Sequence, residues 1–323
     1  MRKHNTLRRW DADVAAYLAN RRALGRRYSA DERILGKVRA FLLRHGARDL
    51  DPARFARWLH QFRHCIPNTR VDYGLLVQRF CRYRRRIDPA CFVPDRSALG
   101  RRRPYPLPSP IDADQVAALL HYVDGLPFVP RFALRVPALR LTVVLLFTTG
   151  IRRGEAARLT LADVDPTAGV LRIQASKFHK SRWVPLSSTA SDELRTYLAA
   201  RDALDPHPDP GDQLLCSRAR QPYSNGGIST AIKCLMARSG VWADAPRLPR
   251  VHDFRHGFAV AALRRWYEAD ADVQSNLPRL ALYMGHVSIE STAYYLRYMP
   301  AVVALASQRF GRACGHLVDG GAP

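Results

Sequence analysis

Long apolar runs are missing from this chain: stretches such as residues 143–147 fall far short of the ~20 residues a membrane span needs, so no membrane partner is expected. The first ten residues, MRKHNTLRRW, are basic but lead into Asp11 and Asp13 with no apolar core between, which excludes a secretory signal. The six cysteines (Cys65, Cys81, Cys91, Cys216, Cys234, Cys314) stand far apart without a C-x-x-C pair, which argues against a zinc knuckle and a disulfide framework. They read as reduced packing residues of a cytoplasmic protein. Lysine is scarce, with five residues, and acid is scarce relative to base, 28 Asp plus Glu against 51 Lys plus Arg. The net charge of +23 and pI near 10.6 point to a polyanionic partner. What is present, 47% hydrophobic and 9% aromatic residues in a length of 323, excludes global disorder and suggests two domains with separate cores. No internal repeat or low-complexity tract is evident.

The charge is concentrated near the start. Residues 1–110 carry 26 Lys plus Arg against 9 Asp plus Glu, and 111–323 carry 25 against 19. Residues 92–110 read as a stiff basic connector, because Arg101, Arg102 and Arg103 are followed by prolines at 104, 106, 108 and 110. Before it, in residues 1–91, apolar residues recur at helical spacing in four places: Val14/Tyr17/Leu18, Leu35/Val38/Leu42, Phe55/Trp58/Leu59/Phe62 and Leu76/Phe80/Tyr83. Asp51-Pro52 supplies an N-cap and a first-turn proline for the third. Arg26, Arg27, Arg84, Arg85 and Arg86, with Arg101, Arg102 and Arg103 of the connector, are dense enough to read as phosphate contacts rather than a merely solvated face. The second domain, 111–323, opens with an Asp112–Gln115 capping box, continues in a buried apolar helix over 139–149, and holds a β-hairpin over 169–186. The expected fold is mainly α with a small sheet.

Four segments of the second domain expose groups suited to phosphate chemistry. In TTGIRRGE, residues 148–155, a glycine break after a buried helix delivers Arg152, whose guanidinium fork matches two phosphate oxygens, with Glu155 placed to brace it. In QASKFHKSR, residues 174–182, two of the five lysines, Lys177 and Lys180, fall in one turn. Lysine can lose its proton near neutrality and arginine cannot, so a retained lysine hints at proton transfer, while a basic tip gripping DNA is an equally good reading. In VHDFRH, residues 251–256, a helical reading puts His252 beside Arg255 and His256. A metal pair is disfavoured there, because the glutamate of the zinc-protease pattern is absent and Arg255 repels a cation, and His256 reads as a core histidine. In LYMGHVSIESTAYY, residues 282–295, a Gly-His turn carrying His286 precedes a tyrosine-rich helix. Tyrosine is a covalent nucleophile when cations crowd its oxygen, whereas Tyr294 and Tyr298 read as packing.

Arginine, hairpin lysine, His-x-x-Arg, Gly-His and tyrosine, in this order, resemble the tyrosine recombinase (phage integrase) family. The likeness covers 111–300 by motif, and the helical module before it resembles that family's core DNA-binding domain. The resemblance implies that Arg152 and Arg255 clamp a scissile phosphate, Lys177 is the general acid, and His252 and His286 bond the phosphate or assist proton transfer. It makes Tyr295 the nucleophile, nine residues after His286 and three after Thr292. Glu155 takes the place of the acid that supports the pocket. The segment between Arg255 and His286, with Glu268, Asp270 and Asp272, is longer than the family's usual one and is read as holding an extra loop.

The chemistry so implied needs no cofactor and no metal. A tyrosine oxygen attacks phosphorus, Lys177 protonates the leaving 5′-oxygen, and a 3′-phosphotyrosine preserves the bond for rejoining. Arginines and histidines supply the electrostatic stabilisation, and the motifs lack the carboxylate cluster that two-metal nucleases require. The implied partner is double-stranded DNA with a specific recombination site, bound by four protomers on two sites at the nucleoid. Relaxation of a type IB topoisomerase kind is one alternative, and a DNA-binding protein without catalysis is another. Whether such a recombinase serves a phage, a mobile element or chromosome-dimer resolution is left open.

Overall fold

The side chain of Asp51 accepts the backbone N–H of Arg54 at 2.7 Å and Pro52 follows it, so the third helix begins where cap chemistry dictates. The computed structural model describes residues 7–25, 28–104, 106–174, 181–286, 288, 290–298 and 300–314, with the backbone alone for Tyr294, 296–298, Ala301, Ala313 and Cys314. The chain divides into two compact units, Met1–Pro106 and Leu107–Pro323.

The first unit holds α1 (Arg8–Ala23), α2 (Ser29–Arg44), α3 (Pro52–His60) and α4 (Pro67–Arg85). Their apolar faces meet in one core around Trp10, Val38, Phe41, Trp58 and Phe80. Arg84, expected at a phosphate, lies instead under this core with its side chain 4% exposed. It donates to Asp13 at 2.7 Å and to Asp49 at 2.7 and 2.6 Å, and its guanidinium covers the ring of Trp10. Two carboxylates and an indole face satisfy the buried cation, which leaves nothing to offer DNA. Arg85, Arg86, Arg101, Arg102 and Arg103 are exposed, Arg102 in an ion pair with Asp72, and Arg26 and Arg27 lie outside the described residues. The stretch read as a connector packs on this unit through residue 103: Leu99 joins the core, Gln78 donates to the Pro94 carbonyl at 2.8 Å, and Asn68 exchanges two hydrogen bonds with the backbone of Arg103.

The second unit opens with α5 (Ala113–Asp124), held by the reciprocal Asp112–Gln115 capping box. It continues with α6 (Arg135–Thr149), α7 (Arg153–Ala156), a three-stranded antiparallel sheet, β1 (Val164–Asp165), β2 (Val170–Ile173) and β3 (Arg182–Pro185), and α8 (Ser188–Asp202). In the sheet Ile173 stands opposite Arg182 and Val170 opposite Pro185. A small hairpin, β4 (Cys216–Arg218) with β5 (Gln221–Pro222), precedes α9 (Asn225–Arg238), α10 (Asp253–Glu268), α11 (Val273–Met284), α12 (Glu290–Tyr298) and α13 (Pro300–Cys314). The architecture is mainly helical with small sheets. By length and hydropathy Pro130–Thr149 matches a membrane span. Packing supplies the reason: α6 lies among α5, α8 and α10, so most of its residues are apolar and buried, while Arg140 at its edge pairs with Asp124 and Glu193.

The extra loop expected before His286 is absent, because α10 and α11 follow one another with a short turn. The acidic residues there are turn and cap residues: Glu268 pairs with Arg264, Asp270 takes φ 53°, and Asp272 caps α11 by accepting the Ser275 N–H at 3.1 Å. Gly257 lets α10 lie against the chain just before α5, since a Cβ at this position would collide with the Ile111 carbonyl. Gly257→Ala is therefore expected to cost about 1–3 kcal/mol, the usual range for overpacking, seen as a lowered Tm. Gly36→Ala, inside α2 with open space around it, is expected to leave Tm unchanged or raise it slightly.

Candidate active site

Two helices of the second unit end side by side and set the frame. Helix α6 stops at Gly150 with φ 59°, and α11 stops at Gly285 with φ 66°, both in the left-handed region that suits glycine. Their terminal carbonyls, at the negative ends of the helices, attract guanidinium groups. Arg255, 2% exposed in the first turn of α10, reaches across with Nη1 on the Gly150 carbonyl and Nη2 on the Met284 carbonyl, both at 2.6 Å. Arg152 donates from Nη2 to the Gly285 carbonyl and from Nη1 to Glu155, both at 2.7 Å. Burial, then the charge of Arg152, pulls Arg255 down to about 10, which leaves it charged at neutral pH.

Glu155 organises the cations. Its side chain is 1% exposed, accepting the Arg152 N–H at 2.9 Å and Arg182 at 2.8 and 3.2 Å. Burial pushes its carboxyl up, but the hydrogen bond and charge of Arg182 and the groups of Arg152 outweigh it and hold it at about 2. Arg182, the first residue of β3, also donates to the Tyr283 carbonyl at 2.7 Å, which fastens the sheet to the end of α11.

The histidines surround the same groups. His286 follows Gly285 and bonds Thr292 Oγ1 through Nδ1 at 2.6 Å. Burial and then the Arg255 and Arg152 charges hold it at about 3. His252 is exposed, yet desolvation and then the charge of Arg255 lower it to about 4. Its ring lies edge to face with His256, centroids 4.8 Å apart. The Tyr295 hydroxyl, on a residue 2% exposed, lies 2.9 Å from His256 Nδ1. Arg152, Glu155, His252, Arg255, His286 and Tyr295, drawn from three separate stretches of chain, thus converge around the ends of α6 and α11. Lys177 and Lys180 fall between β2 and β3 in sequence and lie outside the described residues. Among the described residues no group of three or more His, Cys, Asp or Glu side chains converges as a metal cluster would.

Residues 110–301 match the phage integrase family. The chain belongs to this family of tyrosine recombinases. The recombinase is 33% identical to the putative integrase/recombinase y4rB of Sinorhizobium fredii, over 93% of its own length and 96% of the relative's. It is 29% identical to the tyrosine recombinase XerD of Halalkalibacterium halodurans over 58% of its length and 57% of that protein's. The Tn1549 transposon integrase in complex with transposon right end DNA has a similar fold, with a TM-score of 0.63 at 16% identity, covering 94% of this chain and 98% of that one. Two residues of the recombinase's site escaped sequence reasoning. Arg182 was one basic residue among several in the hairpin, and His256 read as a core histidine although one helical turn from His252, the only signal that marked it.

Proposed function

We propose that this tyrosine recombinase breaks and rejoins double-stranded DNA at a specific recombination site through a 3′-phosphotyrosine on Tyr295, without a metal ion. The observation that carries the reading is the convergence of the Tyr295 hydroxyl, two arginines fixed by helix-terminal carbonyls, and three histidines. Arg152 and Arg255 are held before substrate arrives, so the charge that develops on phosphorus meets donors needing no reorganisation, the condition under which such groups are most effective. The histidines are neutral in the free protein, and a phosphodiester brought among these cations raises their basicity. Lys177, placed by resemblance alone, supplies the proton for the departing 5′-oxygen. The tyrosine attack needs no water, and the phosphotyrosine keeps the energy of the broken bond.

The first unit, with Arg85, Arg86, Arg101, Arg102 and Arg103 exposed, fits a role in holding the duplex backbone. Recombination between two sites requires four protomers. The reading is tested by mixing protein with EDTA and DNA from the flanks of its gene, then looking for an adduct that survives a denaturing gel. Tyr295→Phe is expected to remove the adduct while leaving DNA binding nearly unchanged, and Tyr294→Phe to retain it. An adduct that persists in Tyr295→Phe assigns the nucleophile elsewhere.

A further inference from the structure

The contact between His256 and the attacking oxygen deepens the proposed reaction, and it rests on Tyr295 being the nucleophile. The geometry points to His256 as the proton acceptor that activates the Tyr295 hydroxyl, backed by Asp253 as the group that orients and stabilises the ring. His256 Nδ1 stands 2.9 Å from the Tyr295 hydroxyl, within the range over which a positioned base takes a proton. The other ring nitrogen, Nε2, faces Asp253 Oδ1 at 3.9 Å, and Asp253 is fully buried. The carboxylate is itself fixed, accepting the Arg250 N–H at 2.8 Å and Arg250 Nη2 at 3.3 Å. The imidazole therefore has the nucleophile's hydroxyl at one nitrogen and a carboxylate near the other, the set of groups by which a weak hydroxyl nucleophile is activated. The order of the sequence supports the assignment: Asp253 and His256 lie three residues apart on α10, one turn of helix, and Tyr295 comes from α12 packed against it.

The step balances. The phenol proton passes to the lone pair of Nδ1 on neutral His256 as the Tyr295 oxygen bonds to phosphorus. The phosphorus–5′-oxygen bond breaks with its electron pair on the oxygen, which takes a proton from Lys177. The phosphodiester carries one negative charge before and after the step, the extra charge of the transition state falling among Arg152 and Arg255, and the new imidazolium faces Asp253. On rejoining, the 5′-hydroxyl attacks, Lys177 recovers its proton, and His256 returns the other to the phenolate. Burial, followed by His252, lowers His256 to about 4, so the ring is neutral before the step, and the buried carboxylate of Asp253 counters that lowering. The ionisable groups facing it are His252, Asp253, Arg250 and Arg255 from α10 and the residues before it, and Tyr295 from α12.

The experiment compares wild type, His256→Ala, His256→Asn and Tyr295→Phe in the full-length protein. The probe is the flanking-DNA fragment that gives the wild-type adduct. Asparagine can accept the hydrogen bond from the hydroxyl but cannot take its proton. Both His256 variants are expected to form the adduct about 10²–10⁴-fold more slowly, with DNA binding and Tm near wild type. Placing trifluorotyrosine at position 295, whose phenol ionises near neutrality without a base, is expected to shrink the His256→Ala deficit to under about tenfold, an offset that a packing role cannot produce. A DNA-free arm places 3-fluorotyrosine at position 295 and reads its ¹⁹F resonance, which His256→Ala is expected to displace. His256→Asn as fast as wild type, a deficit that trifluorotyrosine leaves intact, or an unmoved ¹⁹F resonance overturns the proposal. An adduct in Tyr295→Phe instead overturns the nucleophile assignment beneath it, so the two failures are distinct.

Discussion

Arg255→Ala is expected to lower the rate of strand cleavage by about 10²–10³-fold, the loss typical when one preorganised donor to a developing anion is removed. The effect should fall on covalent adduct formation, with DNA retention in a gel shift nearly unchanged, because one buried guanidinium adds little to binding spread over many phosphates. The substitution also strips the Gly150 and Met284 carbonyls of their donor. Each orphaned buried acceptor costs about 1–3 kcal/mol, so thermal unfolding is measured alongside. Arg255→Lys separates the two losses: it keeps the charge, but one ammonium on a flexible stem does not reproduce a planar fork spanning two helix ends. Its cleavage rate is expected to stay about 10²-fold below wild type with most of the stability restored. A lysine variant that cleaves at the wild-type rate contradicts the role given to the fork.

Glu155→Gln is expected to destabilise the second unit by about 3–5 kcal/mol at neutral pH, since removing one member of a buried ionic group leaves its partners uncompensated. Arg182, with its side chain 9% exposed, bears most of that loss. The pH dependence follows from the lowered carboxyl, about 2 in the folded protein against 4.5 in its ordinary setting. A depressed acid stabilises fully above its unfolded value and loses the contribution as pH falls through the folded one. That difference corresponds to roughly 3 kcal/mol. The stability gap between wild type and Glu155→Gln should therefore be widest above pH 4.5 and narrow towards pH 2, measured by urea unfolding across that interval. A gap independent of pH contradicts the charged network. Cleavage should fall as well, because Arg152 loses the brace on Nη1.

The elements that sequence made legible are those set by local rules. Asp51-Pro52 and Asp112–Gln115 open helices through their own side chains, and the largely apolar run over 139–149 announces a buried helix. Arg152, His252, Arg255 and His286 were legible because they sit at helix ends with a distinctive neighbour, glycine shortly before Arg152 and His286 and Arg255 three residues beyond His252, whereas Tyr295, inside α12, was legible by its spacing from His286. What escaped depends on contacts between distant stretches. Charge density counted Arg84 among the phosphate ligands, but density does not reveal that Asp13 and Asp49 fold onto it. Prolines and arginines made 92–110 look like a stiff connector, while Phe92, Val93 and Leu99, with hydrogen bonds from Gln78 and Asn68, dock its first part. The length of the segment between Arg255 and His286 suggested an extra loop, but two helices, α10 and α11, fill it. His256 looked ordinary because its hydrogen bond closes only when α12, 39 residues later, packs on α10.

The central claim is that Tyr295 forms the covalent bond to DNA. The most direct measurement is to isolate the EDTA-resistant adduct, digest both DNA and protein, and identify by mass spectrometry which residue carries the nucleotide. A nucleotide joined through its 3′-phosphate to Tyr295 is the predicted result. A nucleotide on Tyr294, on another residue, or joined through a 5′-phosphate contradicts the account.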